Sequence, residues 1–146
     1  MALQRSSYPD TAYEPAPLVD LNDRSERERL SASALKAFFN VMKLWRVRDE
    51  QARILLGGIS NGPYYQWKSN PRRVLDTDAL TRISYLVGIF KALNILYGEK
   101  LADEWVSLPN SNRIFGGKTP LEYMIGGGIP AFETVRRLLD ARRGGI

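Results

Sequence analysis

Residues 105–124 read W-V-S-L-P-N-S-N-R-I-F-G-G-K-T-P-L-E-Y-M. After a glycine patch at 126–128, residues 135–145 read V-R-R-L-L-D-A-R-R-G-G. A Pro109-Asn110 turn, a Phe115-Gly116-Gly117 turn and a Thr119-Pro120-Leu121-Glu122 helix start stand in close succession. Thr119 suits a cap, Pro120 the first helical position, and Glu122 the first turn, where the helix dipole favours a negative charge. Gly126 to Gly128 end that short helix. Pro130 opens the last one, which runs to about Arg142 with Phe132, Val135, Leu138 and Leu139 inward. The block holds turns and helix starts but no reaction machinery. It has the layout of a compact platform that grips another protein.

Upstream, the period is helical throughout. Leu35, Phe38, Phe39, Met42 and Trp45 make one apolar face of a helix that begins near Ser31, with Ser31 or Ser33 as its cap. A short helix, Asp49 to Leu56, buries Ala52, Leu55 and Leu56, and Gly57-Gly58 closes it. Ser60 reads as the cap of another short helix, Asn61 to Lys68, in which Gly62 and Pro63 fall in the first turn. Asn70-Pro71 breaks the chain. Asp76 or Thr77 caps the longest helix, about Asp78 to Tyr97, whose Leu80, Ile83, Val87, Phe90, Leu93 and Tyr97 form the spine of the core. Gly98 closes it, and a helix over about Glu99 to Val106 follows. Nothing alternates with period two, so the expected fold is all-α.

Residues 1–30 read as a flexible N-terminal arm. Pro9, Pro15 and Pro17 interrupt any helix, and the alternating charges of Arg24 to Arg29 make a solvated lead-in. Val19 and Leu21 are the residues able to dock it on the body.

Composition narrows the function. The chain has 146 residues and an apolar fraction of 44%, enough for one domain or two small helical units. It has no cysteine and no histidine. Disulfides and zinc-thiolate sites are excluded, and the commonest general base and metal ligand are missing. Gly126 to Gly128 lacks the preceding strand and following Gly-Lys-Ser/Thr of a phosphate loop. We therefore expect no enzyme, no cofactor and no metal. The net charge of +5 and pI near 9.6 favour an anionic partner. No signal peptide opens the chain, and no run approaches the ~18 apolar residues of a membrane span, so a cytoplasmic protein with no membrane partner is expected.

The span from Asp49 to Lys68 has helix-turn-helix spacing. Its second helix offers Ser60 as cap and Asn61, Tyr64, Gln66 and Lys68 as groups for base edges or phosphates, with Trp67 and Tyr65 packed inward. Arg72 and Arg73 lie just beyond and suit backbone phosphates. Between Arg48 and Arg73 five basic residues face two acidic ones. The plain alternative is two ordinary short helices with a solvated basic loop.

The C-terminal block, roughly Leu101 to Gly145, resembles the toxin-binding domain of the Xre/MbcA/ParS antitoxin family. The anchors are Trp105, Pro109-Asn110, Phe115-Gly116, Thr119-Pro120-Leu121, and Val135 with Leu138-Leu139. Residues from about Ser33 to Gly98 resemble that family's Xre-type helix-turn-helix region. The resemblance implies an Xre-like helix-turn-helix domain over 31–98 and a small helical toxin-binding domain over 99–146. It implies a bacterial type II antitoxin whose usual partner is a RES-domain toxin, which attacks NAD or uses it to modify proteins. It also implies repression of the chain's own operon by a homodimer bound to operator DNA. The expected toxin-blocking element is the last helix and tail: Arg136, Arg137, Arg142, Arg143, Gly144, Gly145 and Ile146. Arginine pairs bidentately with carboxylates, which NAD-handling sites carry. The plain alternative is a solvated arginine face that suits a helix C-terminus. Trp105, Phe115, Leu121, Val135 and Leu138 read as core rather than contacts. The competing functional reading is a DNA-binding regulator with a dimerising C-terminal domain and no toxin. Phe38, Phe39 and Trp45 exceed what one small core absorbs, so some are expected to pair across a two-fold axis.

Overall fold

A computed structural model of the chain describes residue 20 and residues 22–144. The described residues form helices α1 (Arg24–Leu44), α2 (Asp49–Leu55), α3 (Asn61–Ser69), α4 (Thr77–Tyr97), α5 (Glu99–Trp105) and α6 (Pro120–Arg143). A 3-10 turn at Arg113–Phe115 precedes α6, and no strand occurs among the described residues. The all-α expectation holds.

Helix α1 starts seven residues earlier than the apolar period suggests. Its cap is Asp23, whose carboxylate accepts the Ser25 N–H at 2.9 Å. The alternating charges are its first turns, in which Arg24 pairs with Glu28 and Arg29 with Glu26. Neither Ser31 nor Ser33 caps. Ser31 is buried at 1% exposure; its hydroxyl donates to Arg27 O and accepts the Leu75 N–H at 2.9 Å. The arm's residues 1–19 and residue 21, with Val19 and Leu21, lie outside the described residues.

The aromatic excess is absorbed within one chain. Phe38 and Trp45 are buried, and Phe39 is half-buried, edge-on to Phe38 at 5.2 Å and to Tyr64 at 5.6 Å. Of the three residues among which some were expected to pair across a two-fold axis, Phe39 alone keeps exposed surface for a second copy.

Helix α4 is the shared core of both halves. Asp76 caps it through the Ala79 N–H at 2.8 Å, and Gly98 closes it at φ 76. It packs against α1, α5 and α6. For that reason it buries Ala79, Leu86, Ile89 and Ala92 as well as Leu80, Ile83 and Leu93, while Val87, Phe90 and Tyr97 are half-buried. Each fully buried Leu or Ile contributes about 1.5–3 kcal/mol by leaving water. By length and composition alone α4 would pass for a membrane crossing. Its three packed neighbours show a core helix.

Helix α6 begins as the sequence indicates. Thr119 Oγ1 accepts the Glu122 N–H at 3.1 Å, and the Glu122 carboxylate accepts the Thr119 N–H at 3.1 Å. The Leu121 N–H donates to Val106 O at 2.8 Å, fixing the start of α6 to the end of α5. The expected stop at 126–128 is a kink. Gly128 takes φ 63 and ψ −147, a conformation open to glycine alone, and the helix resumes through Pro130.

Candidate DNA-reading and toxin-binding surfaces

Helices α2 and α3 meet at a turn made by Gly57 at φ 105 and Gly58 at φ 81. Arg53 Nη1 donates to Ile59 O at 3.0 Å and pins this turn. Ser60 stands at the cap position of α3 but makes no side-chain capping bond.

The two tyrosines of α3 are exchanged relative to expectation. Tyr64, expected at base edges, is 1% exposed; Tyr65, expected inward, is 49% exposed. Trp67 is half-buried against the core. Helix geometry explains the exchange. Tyr64 and Trp67 are three apart and share a face, whereas Tyr65 and Trp67 are two apart and cannot. Asn61, Gln66, Lys68, Arg72 and Arg73 are exposed as expected.

An acidic residue governs this surface. Asp49, at the start of α2, accepts from Tyr64 Oη at 2.6 Å, Lys68 Nζ at 2.8 Å and Tyr65 Oη at 3.4 Å. The Lys68 bond, then the Tyr64 bond, hold the Asp49 carboxyl below the usual aspartate range. Burial, then the Asp49 carboxylate, raises the Tyr64 hydroxyl above its ordinary value. Lys68 is thus already partnered. Arg73 Nη2 donates to Gln66 Oε1 at 2.9 Å, so those two are also linked. A nucleic acid would have to exchange these partners for phosphates and base edges.

The C-terminal platform is held by an aromatic row. Phe115 packs edge-on to Trp105 at 6.0 Å and to Tyr123 at 5.3 Å. Trp105, Phe115, Leu121 and Val135 are buried, and Leu138 is half-buried. The intervening loop is shaped by its own side chains. Asn110 Oδ1 accepts the Asn112 N–H at 2.9 Å, and Asn112 Oδ1 accepts the Ile114 N–H at 3.1 Å. Gly116 and Gly117 take positive φ, Pro109 is exposed, and Pro120 is buried.

The four arginines of α6 have partners within the chain. Arg136 Nε donates to both oxygens of Asp140 at 3.1 Å. Its guanidinium lies across α4 so closely that a Cβ at Gly88 would come within 2.1 Å of Arg136 Nη1. Arg142 Nη1 donates to Tyr97 Oη at 2.7 Å. These two lash α6 to α4, which corrects their reading as an open plug. Arg137 pairs with Glu133 but is 77% exposed, and Arg143 lies 3.9 Å from Asp140. Gly144 is exposed; Gly145 and Ile146 lie outside the described residues. The Asp140 partner, four residues on from Arg136, is visible in the sequence. Tyr97, 45 residues from Arg142, carries no such signal.

Residues 23–88 match the antitoxin Xre-like helix-turn-helix domain, and residues 92–145 match the antitoxin Xre/MbcA/ParS C-terminal toxin-binding domain. The chain is also similar to the uncharacterized protein y4oB of Sinorhizobium fredii (strain NBRC 101917 / NGR234). They are 34% identical over 130 residues, 88% of this chain and 98% of that protein.

Proposed function

The chain belongs to the Xre/MbcA/ParS antitoxin family, and from that premise we propose a cytoplasmic type II antitoxin that neutralises a RES-domain toxin and represses its own operon. It acts by binding, not by catalysis. The functional division falls near Gly98, with DNA reading over 31–98 and toxin binding over 99–146. The observation that carries the reading is the presence of both matched domains around one shared helix, α4.

In this reading α3 enters the major groove. Asn61, Tyr65 and Gln66 meet base edges, while Arg72, Arg73 and a released Lys68 meet phosphates. One copy reaches few phosphates, so a homodimer on two half-sites supplies the affinity. On the toxin side, exposed Arg137 and Arg143 and the tail 144–146 cover the entrance of the active site. Arginine pairing with carboxylates there excludes NAD.

The test is co-purification with the product of the neighbouring gene, with NAD consumption by that product measured in the presence and absence of this chain. A stable complex in which NAD loss stops supports the reading. No complex, with operator binding retained, makes the chain a regulator without a toxin. Deleting 143–146, which leaves the Arg142–Tyr97 bond in place, should abolish protection and leave the melting temperature nearly unchanged.

A further inference from the structure

Helix α3 turns one side to the core and the other to solvent. Tyr64 is buried, and Trp67 is half-buried against the core. At about 100° per residue, the opposite side carries Gly62, Tyr65, Gln66 and Ser69, and all four are exposed. Lys68 stands on the flank with Asn61, seven residues before it, and its ammonium is held by Asp49. The outward side of the helix therefore holds no cation. Apart from its chain neighbours and the helix backbone, no heavy atom lies within 4 Å of where a Cβ at Gly62 would stand. The first turn thus offers no side chain that would keep a duplex at a distance.

Gln66 is the carboxamide on that side, and a neighbour assigns its two ends. Arg73 Nη2 donates to Gln66 Oε1 at 2.9 Å. A guanidinium has donors only, so the atom it meets must be the carboxamide oxygen. A second lone pair on that oxygen and the two Nε2 hydrogens are left to offer. In the major groove adenine shows one donor, N6–H, and one acceptor, N7. Guanine shows two acceptors, N7 and O6, which call for the donors of arginine or lysine. The outward side of α3 has neither cation, while Gln66 has the acceptor and donor that adenine requires. Arg73 is exposed and keeps further N–H donors, so it can hold a phosphate while it holds Gln66.

We propose that Gln66 reads an adenine in each operator half-site, with its carboxamide preset by Arg73, so that the base pair it meets is A·T and not G·C. Gln66 Oε1 accepts from adenine N6, and Nε2 donates to N7. Arg73 is a positioning residue. It ties Gln66 to the phosphate backbone and removes the flipped carboxamide, which would present donor and acceptor in the reverse order. Setting the side chain before the duplex arrives also lowers the ordering cost of binding. The inference rests on the reading that α3 enters the major groove of DNA.

The test uses the full chain, alone and mixed with the product of the neighbouring gene, to select from a library of randomised DNA duplexes. An A·T pair should be fixed in the selected site, and changing it to G·C should weaken wild-type binding about tenfold in anisotropy titrations. Gln66→Ala should bind the two duplexes equally at that position and keep the wild-type preference elsewhere. Arg73→Ala should relax the same ratio, whereas Arg72→Ala should weaken both duplexes alike. A residue serving only the fold, or only phosphates, would not move the ratio at one position. The three residues are exposed, and recorded melting temperatures check that each variant is folded. Binding without sequence preference, or a preference that Gln66→Ala leaves intact, overturns the proposal. A wild-type ratio in Arg73→Ala overturns the positioning role. If the wild-type chain binds no duplex, alone or mixed, the DNA reading itself fails and this proposal with it.

Discussion

Replacing Asp49 tests how the reading surface is restrained. Asp49→Asn removes a negative charge beside the expected phosphate path and keeps an acceptor for Tyr64. The Lys68–Asp49 pair is partly exposed, 48% and 37%, and such screened pairs contribute about 0–1 kcal/mol. Asp49→Asn should therefore lower stability by under ~1 kcal/mol. Asp49→Ala leaves the buried Tyr64 hydroxyl without its acceptor, which adds about 1–3 kcal/mol. At this chain length each kcal/mol lowers the melting temperature by about 4 °C. DNA binding should move the other way. A freed Lys68 that gains one phosphate steepens the dependence of log K on log salt by about 0.9. Asp49→Asn thus binds operator DNA more tightly at low salt while folding slightly less stably. Fluorescence anisotropy on a duplex from the chain's own promoter, across a salt series, with urea melts, reads both. An unchanged slope or weaker binding would refute Lys68 as a latent phosphate contact. The pH dependence has a fixed sign. Because the folded Asp49 carboxyl lies below its usual range, its contribution is full above about pH 4 and is lost as pH falls through the lower folded value. Asp49→Asn should flatten that acid limb.

Other outcomes follow from the packing. Gly128→Ala, at φ 63 and ψ −147, should cost about 1–3 kcal/mol in urea unfolding, and a neutral result would mean the α6 kink can relax. Ser31→Ala leaves the Leu75 N–H without its partner and should cost about 1–3 kcal/mol; a silent substitution would show that this buried amide finds another acceptor. The Glu122 carboxyl is held below the usual glutamate range, chiefly by the Thr119 N–H. Its capping is present above the ordinary glutamate value and lost as pH falls through the lower folded one. Cap-dependent amide exchange in the first turn of α6, after correction for the intrinsic pH effect, should rise only below about pH 4. A rise nearer neutrality would count against the capping box.

The legible parts of this protein share a short range. The Thr119–Glu122 cap, the Asp76 cap and the Gly57-Gly58 turn each depend on residues within a few positions, so the sequence shows them directly. The start of α1 was harder to read, since a charged run is as compatible with a solvated helix as with an arm until Asp23 is seen to cap it. The exchange of Tyr64 and Tyr65 had a signal that spacing offered: Tyr64, three residues from Trp67, was the one able to share its face. The reading surface was legible in its basic residues. Its restraint was not, because Asp49 lies 19 residues from Lys68.

By itself the sequence determined the helices, most of their ends and the family, because periodicity, caps and turn residues act locally and the motif order is linear. The tertiary structure decided which side chains remain available to a partner. Arg142 is claimed by Tyr97, Arg136 by Asp140 and the space above Gly88, and Lys68 by Asp49. Availability depends on what lies within a hydrogen bond's reach in space, and helix packing brings together groups that the chain keeps tens of residues apart.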